Sequence, residues 1–176
     1  MNRRHLALPR VWMLTDERQG AAMWDAIARL PRGAGVVVRH YSLPLADRLE
    51  MARRIRESGR FVAFAGTEEE ARRAGAQAVY GASRCRGHLP RLYPVHNRSE
   101  IRAAERAGAA LLLLSPVFPT RSHPGGKTLG PYRFARLAAS TRTPVIALGG
   151  MTSTRFGRLQ KLGAQGWAAI DAWVDR

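Results

Sequence analysis

The sequence predicts an α/β fold in which eight parallel strands close into a compact (β/α)8 barrel of the TIM type. Short apolar runs alternate eight times with segments whose apolar residues recur at helical spacing. The runs are continuously apolar, which is typical of parallel strands that are buried on both faces. Eight repeats favour a closed barrel over a doubly wound sheet, and the short chain requires short connections. No change in composition marks a linker, so residues 1–176 are expected to form a single domain.

The first half of the chain supplies four of the expected strands. They are Val11–Leu14, Gly35–Val38, Phe61–Ala65 and Ala78–Tyr80. Helices are expected over residues 19–30, over Leu45–Ser58 before the stop at Gly59, and from a capping box of Thr67 and Glu70 to Gly75. Residues 81–90 leave little room for a helix, so the helix after the fourth strand is predicted to be short or missing.

The second half of the chain continues the same alternation. Its expected strands are Leu92–Val95, Leu111–Leu114, Pro144–Leu148 and Trp167–Ile170. Asn97 and Glu100 predict another capping box, which opens a helix that runs to Gly108. Further helices are expected over Tyr132–Ala139 and Thr152–Leu162, with a short closing helix over residues 171–176.

The chain is strongly basic, with 29 Lys and Arg against 13 Asp and Glu and a formal charge of +16. Negatively charged partners are therefore favoured. The basic residues fall singly or in pairs such as Arg53-Arg54, which indicates a solvated face rather than a nucleic-acid groove. Cys85 is the only cysteine, so a reducing cytoplasm is expected, and no apolar run is long enough to span a membrane.

A binding site is expected where the sixth apolar run enters a polar loop, over Leu111–Gly130. In a barrel of this kind ligands bind at the carboxyl ends of the strands, and phosphate commonly binds after the seventh and eighth. Gly149-Gly150 follows the seventh strand and precedes a helix. The pair is either a phosphate-binding turn with close backbone approach or simply a tight turn.

Motifs at these positions resemble the thiamine phosphate synthase family, which includes the sister branch of thiazole tautomerases. The resemblance rests on the segments Pro116-Val117-Phe118-Pro119-Thr120 and Ala147-Leu148-Gly149-Gly150. It extends to Leu14-Thr15-Asp16, to His96 with Ser99-Glu100, to Leu129-Gly130, and to the segments 163–164 and 168–172. It thus spans almost the whole chain and is most specific in the second half.

The resemblance implies a transferase that joins hydroxymethylpyrimidine pyrophosphate to thiazole phosphate, with Mg²⁺ on the pyrophosphate. It implies that Thr120 and Ser122 hold the phosphate groups of the two substrates. The residues that would cradle the thiazole phosphate are Gly149, Gly150, Ile170 and Asp171. Asp171 stands where the family usually has a small hydroxyl residue, so a base such as Lys127 or an arginine has to neutralise it.

The pyrophosphate side of the site departs from the family. Of its Gln-x-Arg-x-Lys motif only Arg39 is present, and Ala65-Gly66 stands where an Asn-Asp pair is expected. The aspartate expected after the fourth strand has no counterpart, so no metal ligands are assigned and the implied Mg²⁺ lacks its usual carboxylates.

Two explanations compete. In one, basic residues replace the metal as neutralisers of phosphate charge, since guanidinium groups bind phosphate oxygens in pairs. The residues considered for this role are Arg39, His40, Arg84, Arg86 and His88. In the other, the chain has lost the transferase reaction and keeps a phosphate-ligand pocket for tautomerisation, sensing or regulation. Pro116 counts against tautomerisation, because the tautomerases carry a histidine there.

The remaining candidates lie in loops that follow strands. His123 is assigned a ligand contact or a proton-transfer role, and it and Arg39 are the two catalytic candidates. His5 and His88 are assigned to the surface. For His40 and His96, ligand contact and plain backbone bonding are equally compatible with the sequence. The four tryptophans, Trp12, Trp24, Trp167 and Trp173, are expected in the core or at an oligomer seam, so a homodimer is also considered. Loop 119–128 has the composition of a mobile lid.

Overall fold

The computed structural model describes residues 7–81, 87–122 and 125–174 as a closed barrel of eight parallel strands in sequential order. The strands are β1 Val11–Leu14, β2 Gly35–Val38, β3 Phe61–Ala65, β4 Ala78–Tyr80, β5 Arg91–Val95, β6 Leu111–Leu114, β7 Val145–Leu148 and β8 Gly166–Ala169. The helices are α1 Ala22–Arg29, α2 Leu45–Glu57, α3 Glu68–Arg73, α4 Arg98–Arg106, α5 Gly130–Ala138 and α6 Ser153–Gln160. Two 3₁₀ helices, Glu17–Gln19 and Asp171–Trp173, follow β1 and β8. The predicted (β/α)8 barrel is confirmed, with strand boundaries shifted by at most one residue.

Burial on both faces explains why the strands are continuously apolar. Alternate residues of each strand point into the barrel or outward against the helices. The inward set includes Trp12, Val37, Leu113 and Ile146, and the outward set packs under the helices. Gly35 pairs with Trp12 across β1 and β2, and a Cβ at Gly35 would lie 2.4 Å from the indole ring. The glycine therefore gives this large inward side chain its room.

The two predicted capping boxes have different outcomes. At α3, Thr67 Oγ1 accepts from the Glu70 N–H and the Glu70 carboxylate accepts from the Thr67 N–H, as expected. At α4, Asn97 accepts from the Glu100 N–H, but Glu100 accepts from the backbone N–H of His96. The N-cap at Asn97 is therefore confirmed, but the prediction that Glu100 bonds to the Asn97 N–H was wrong. The carboxylate accepts from the residue before the N-cap instead.

The helix after β4 was predicted to be short or missing; residues 81 and 87–90 are not helical, and the rest of that segment lies outside the described residues. Glu68, at the start of α3, accepts a hydrogen bond of 2.8 Å from the His88 N–H and lies 3.7 Å from Arg91 Nη2. The backbone hydrogen bond from His88, together with the nearby arginines, lowers the pKa of the Glu68 carboxyl despite its burial. An ionised carboxylate thus ties the short connection to α3. His88 itself is exposed, as expected for a surface residue.

Three of the four tryptophans belong to the core. Trp12, Trp167 and Trp173 are buried, and the rings of Trp167 and Trp173 stack with centroids 4.7 Å apart. Trp24 is partly buried, and the Arg54 guanidinium lies 4.0 Å from the centroid of its ring. Across residues 7–81, 87–122 and 125–174, no helix combines the length and the apolar character needed to cross a bilayer.

Candidate functional site

A cavity of about 340 Å³ opens at the carboxyl ends of the strands. Residues from the loops after β2, β5, β6, β7 and β8 line it, because parallel strands in a closed barrel all end at the same rim. The predicted site residues that line it are Arg39, His96, Thr120, Ser122, Lys127, Gly149, Gly150, Ile170 and Asp171. The fold therefore brings together nine residues that are up to 132 positions apart in the sequence.

The loop after β6 contributes two adjacent hydroxyl groups. Thr120 Oγ1 lies 2.9 Å from Ser122 Oγ, and it also accepts from the Ser122 N–H at 3.4 Å. Both side chains are partly buried and both line the cavity. A hydroxyl can donate one hydrogen bond and accept two, so this pair retains capacity to bind an anionic oxygen.

The glycine pair after β7 packs directly against the loop after β6. Gly149 has φ +94°, and a Cβ there would lie 2.7 Å from Pro116 Cα. Gly150 has φ +59°, and a Cβ there would lie 2.4 Å from the Pro119 carbonyl oxygen. The N–H groups of Val117 and Phe118 donate to the carbonyls of Leu148 and Gly149 at 2.9 and 3.1 Å. Gly149 and Gly150 therefore allow the loops after β6 and β7 to pack closely, and they also line the cavity. Neither interpretation of the pair from the sequence included this packing role.

Arg155, in α6, contacts both of these loops. The Arg155 guanidinium donates to the Gly150 carbonyl and lies 4.8 Å from the centroid of the Phe118 ring. The side chain therefore links the glycine turn to the loop after β6. The two motifs on which the resemblance rested are in contact in three dimensions.

The loop after β8 places a carboxylate at the cavity wall, with arginines beside it. Asp171 Oδ1 lies 3.6 Å from Arg18 Nη2, and Asp171 Oδ2 lies 3.7 Å from Arg121 Nε. Arg121 belongs to the same loop as Thr120 and Ser122. The neutralisation expected for Asp171 is thus supplied by two arginines, and the pair with Arg121 joins the loops after β6 and β8.

Arg39 lies at the opposite wall and is fixed by the loop after β1. Its Nε donates to the Thr15 carbonyl at 3.0 Å, and its Nη2 donates to Asp16 Oδ2 at 3.1 Å. Partial burial raises the pKa of Asp16. The hydrogen bonds from Arg18 and the charges of Arg18 and Arg39 lower it by more, so the net shift is downward. Asp16 is therefore an ionised anchor that orients the guanidinium group at the cavity.

His40 lies outside the lining of the cavity. It is buried, has φ +36°, and its Nδ1 lies 2.9 Å from Thr15 Oγ1. Burial lowers the pKa of the imidazole, with the charges of Arg39 and Arg48 acting in the same direction against those of Glu17 and Asp16. His40 therefore bonds to the side-chain hydroxyl of Thr15, which also accepts from the Arg39 N–H, and neither alternative weighed from the sequence included this bond.

His96 does line the cavity, and its Nδ1 lies 2.8 Å from Glu100 Oε2. His123, Arg84, Arg86, His5 and Cys85 lie outside the described residues, so the roles predicted for them stay predictions. Tyr41, which follows His40, is 65% exposed and is absent from the cavity lining.

Sequence reasoning did not assign Tyr80, Asp16 or Glu100 to the site. Tyr80 lines the cavity, and burial raises the pKa of its phenol to about 12. Asp16 and Glu100 do not line the cavity but orient Arg39 and His96. Tyr80 is the last residue of β4, and a polar residue at that end of a barrel strand is itself a signal for the site.

The side chains at the cavity do not fit a magnesium ion. Mg²⁺ is usually held by one or two carboxylates together with waters and substrate oxygens. Asp16 and Asp171 are both engaged by arginines, and β3 ends at Ala65 and is followed by Gly66. A Cβ at Gly66 would lie 2.3 Å from Glu70 Oε2, a carboxylate that already caps α3. In the part of the chain that the structure describes, no three His, Cys, Asp or Glu side chains cluster as a metal site.

The sequence comparisons agree with the motifs of the second half. A family model described as thiamine monophosphate synthase matches residues 93–173. The putative thiamine-phosphate synthase 2 of Aquifex aeolicus is 32% identical over 83 residues, which cover 47% of this chain and 45% of that protein. The thiamine-phosphate synthase of Methanospirillum hungatei is 28% identical over 168 residues, covering 94% of this chain and 76% of that protein. With the first of these relatives, the match thus spans less than half of the relative's length.

Solved structures share the fold. Thiamine phosphate pyrophosphorylase from Pyrococcus furiosus superposes with a TM-score of 0.77 at 20% identity, covering 96% of this chain and 88% of that chain. FabK from Thermotoga maritima also reaches 0.77 at 18% identity, covering 95% of this chain and 59% of that chain. The likeness in structure therefore establishes the barrel. In the motifs of its second half and in its fold, the chain is similar to the thiamine monophosphate synthases.

Proposed function

We propose that the protein is a transferase of the thiamine phosphate synthase type. It would join hydroxymethylpyrimidine pyrophosphate to thiazole phosphate and release thiamine phosphate and pyrophosphate. The observation that carries the proposal is that Thr120, Ser122, Gly149 and Gly150 line one and the same cavity. The sequence match over residues 93–173 includes all four of these positions.

The thiazole phosphate is assigned to the wall formed by the loops after β6, β7 and β8. Hydroxyl groups at Thr120 and Ser122 and backbone near Gly149, Gly150 and Ile170 line this wall. Lys127 lines the same cavity, is exposed, and has no hydrogen-bond or ion-pair partner among the described residues. Its ammonium group is available to a phosphate, to which it can donate charge-assisted hydrogen bonds.

The pyrophosphate is assigned to the opposite wall, where Arg39 lies. The Nε and Nη2 of this guanidinium are occupied by Thr15 and Asp16, and no described residue accepts from Nη1. A group anchored in this way is oriented before the substrate binds, which reduces the cost of ordering it. Arg39 is therefore the residue proposed to neutralise charge on the leaving group.

The reaction implied by the resemblance is dissociative. Departure of pyrophosphate leaves a pyrimidine-methyl cation, and the thiazole nitrogen captures it. Such chemistry depends on positioning and on stabilisation of charge. The apolar part of the cavity, which includes Leu148, Ala169 and Ile170, would limit capture of the cation by water.

We infer that the reaction does not depend on bound magnesium. The resemblance implies Mg²⁺, but Asp171, which lines the cavity, and Asp16, which anchors Arg39, are both engaged by arginines. Guanidinium groups can take over part of the charge neutralisation because they bind phosphate oxygens in a bidentate manner. Arg39 is the described candidate for this substitution.

A synthesis assay with both substrates tests the proposal. Thiamine phosphate is measured after incubation with Mg²⁺ or with a chelator, and product is expected under both conditions. Ser122→Ala should lower kcat/KM roughly tenfold or more, the effect of losing a hydrogen bond to a charged group. Ser140→Ala is the matched control, since its hydroxyl is exposed and bonds to the Leu137 carbonyl at the end of α5. Product that disappears with chelator would contradict the metal-independent reaction.

A second candidate is a phosphate-ligand binding protein without catalysis. It is favoured by the missing metal carboxylates and by the Asp171 carboxylate at the phosphate wall. Calorimetric titration with thiazole phosphate separates the two candidates when it is combined with the synthesis assay. Binding without product under either condition would overturn the transferase.

Tautomerisation is a less favoured activity, because Pro116 lines the cavity where the tautomerases have a histidine.

Several further assignments stay predictions. They are one domain over residues 1–176, a cytoplasmic location, a homodimer, and closure of loop 119–128 as a lid. Nucleic acid is not the proposed partner, since the phosphate-binding candidates converge on a cavity rather than a groove. Binding of duplex DNA with a steep salt dependence would contradict that assignment.

A further inference from the structure

His96 and Glu100 form a hydrogen-bonded pair at the cavity. His96 follows β5 and Glu100 lies in the first turn of α4. Glu100 Oε2 lies 2.8 Å from His96 Nδ1 and accepts the His96 backbone N–H at 2.7 Å. Its other oxygen accepts from Asn97 Nδ2 at 2.6 Å. The carboxylate is therefore held in place while it holds the imidazole.

The pair fixes which ring nitrogen is available to a ligand. Partial burial opposes ionisation of Glu100, but the hydrogen bonds from His96 and Asn97 and the charge of His96 outweigh it and lower the pKa of the carboxyl. An ionised carboxylate only accepts hydrogen bonds, so the proton of the neutral imidazole must be on Nδ1. Nε2 is then the nitrogen that the imidazole can offer to a ligand.

The other titratable groups that line the cavity are unsuited to transfer a proton near neutral pH. The side chains of Arg39 and Lys127 are hydrogen-bond donors without an acceptor atom. Burial raises the pKa of the Tyr80 phenol to about 12, and Asp171 is engaged by two arginines. Of the described side chains at this cavity, His96 is left as the acid or base.

We propose that His96 is the general acid for the leaving pyrophosphate, and that Glu100 is its positioning residue. The inference rests on the proposed function. As the bond from the pyrimidine methylene carbon to the pyrophosphate oxygen breaks, its electron pair stays on that oxygen. The proton on Nε2 of the imidazolium passes to an oxygen of the departing group. The thiazole nitrogen forms the new C–N bond with its lone pair, and neutral His96 regains a proton from water.

This role supplies what the cavity otherwise lacks. A departing pyrophosphate needs its growing negative charge neutralised, and the described side chains at the cavity form no site that fits a magnesium ion. Protonation by His96 and electrostatic contact with Arg39 together provide that neutralisation without a metal. Both residues line the cavity, one after β2 and one after β5.

Ring nitrogen NMR tests the positioning step without any turnover. In the wild type, ¹⁵N spectra should show the neutral His96 protonated on Nδ1, and titration with inorganic pyrophosphate should shift Nε2. Glu100→Ala should move the neutral ring towards the Nε2-protonated tautomer, which a merely structural role for Glu100 would not do. Glu50→Ala, at an exposed carboxylate of α2, is the control and should leave the His96 signals unchanged. An unchanged tautomer in Glu100→Ala would overturn the positioning role.

The pH profile of kcat tests the acid. Wild-type kcat should fall as pH rises, because the acid must be protonated. In His96→Gln this decrease with pH should disappear, and kcat should be at least tenfold lower than in the wild type. Glu100→Ala should lower kcat with less than a twofold change in KM, and Glu100→Asp should recover part of the loss. If His123→Gln removes this decrease with pH and His96→Gln retains it, the assignment is wrong. No product from the wild type would overturn the proposed function as well, whereas product with an unaltered profile in His96→Gln overturns this inference alone.

Discussion

Replacing Gly149 by alanine tests whether the contact between the two loops determines stability. At φ +94° an alanine is strained by about 1–2 kcal/mol. Its Cβ would also lie 2.7 Å from Pro116 Cα and 2.8 Å from Pro116 Cβ, so the loop after β6 must move. Overpacking of this kind costs about 1–3 kcal/mol. The free energy of unfolding is therefore expected to fall by about 2–5 kcal/mol.

Gly59→Ala is the matched control. Gly59 has φ +80°, and a Cβ there would meet nothing within 4 Å. The backbone strain and the reduced entropy of the unfolded chain are nearly the same in both variants, so they cancel in the comparison. The remaining difference of about 1–3 kcal/mol belongs to the contact with Pro116. Urea unfolding followed by circular dichroism measures both, and equal losses in the two variants would refute the close-approach argument.

Three further predictions concern charges near the site. Asp171→Ser should tighten phosphate binding by about 1 kcal/mol, the water-screened repulsion of two charges ~4 Å apart, and calorimetry that shows weaker binding would contradict it. The pKa of Asp16 is lowered, so its pairs stabilise the fold above pH 3.8 and that stability is lost as pH falls below this value. The free energy of unfolding of Asp16→Asn should accordingly be lower than that of the wild type at pH 7, and the two values should converge in acid. The pKa of His40 is lowered by burial, so stability should fall as pH drops below 6.5, and His40→Asn should abolish that loss.

Much of the barrel could be predicted because its determinants are local. The period of apolar residues locates strands and helices, and burial on both faces makes runs such as Leu111–Leu114 continuously apolar. The capping box at Thr67 could also be predicted from the sequence, since both of its hydrogen bonds join residues three positions apart. At Asn97 the same pattern misled, because Glu100 bonds to His96 instead.

The site was predictable only where a motif carried it. Thr120 and Ser122 were assigned by resemblance, the glycine pair was also assigned from its place after the seventh strand, and the fold brings all four to one cavity. Nothing in the sequence separated His96 from His40, since both follow strands. Their surroundings differ: His40 is buried against Thr15, while His96 lines the cavity beside Glu100.

The sequence by itself determined the order of elements, the closed barrel and the positions of the two family motifs, because apolar period and glycine placement are properties of neighbouring residues. Only the tertiary structure decided that the motifs contact each other and that two arginines flank Asp171. It also decided that Arg39 is anchored by Asp16. These contacts join loops far apart in the chain, and their geometry depends on how barrel closure brings the strand ends together.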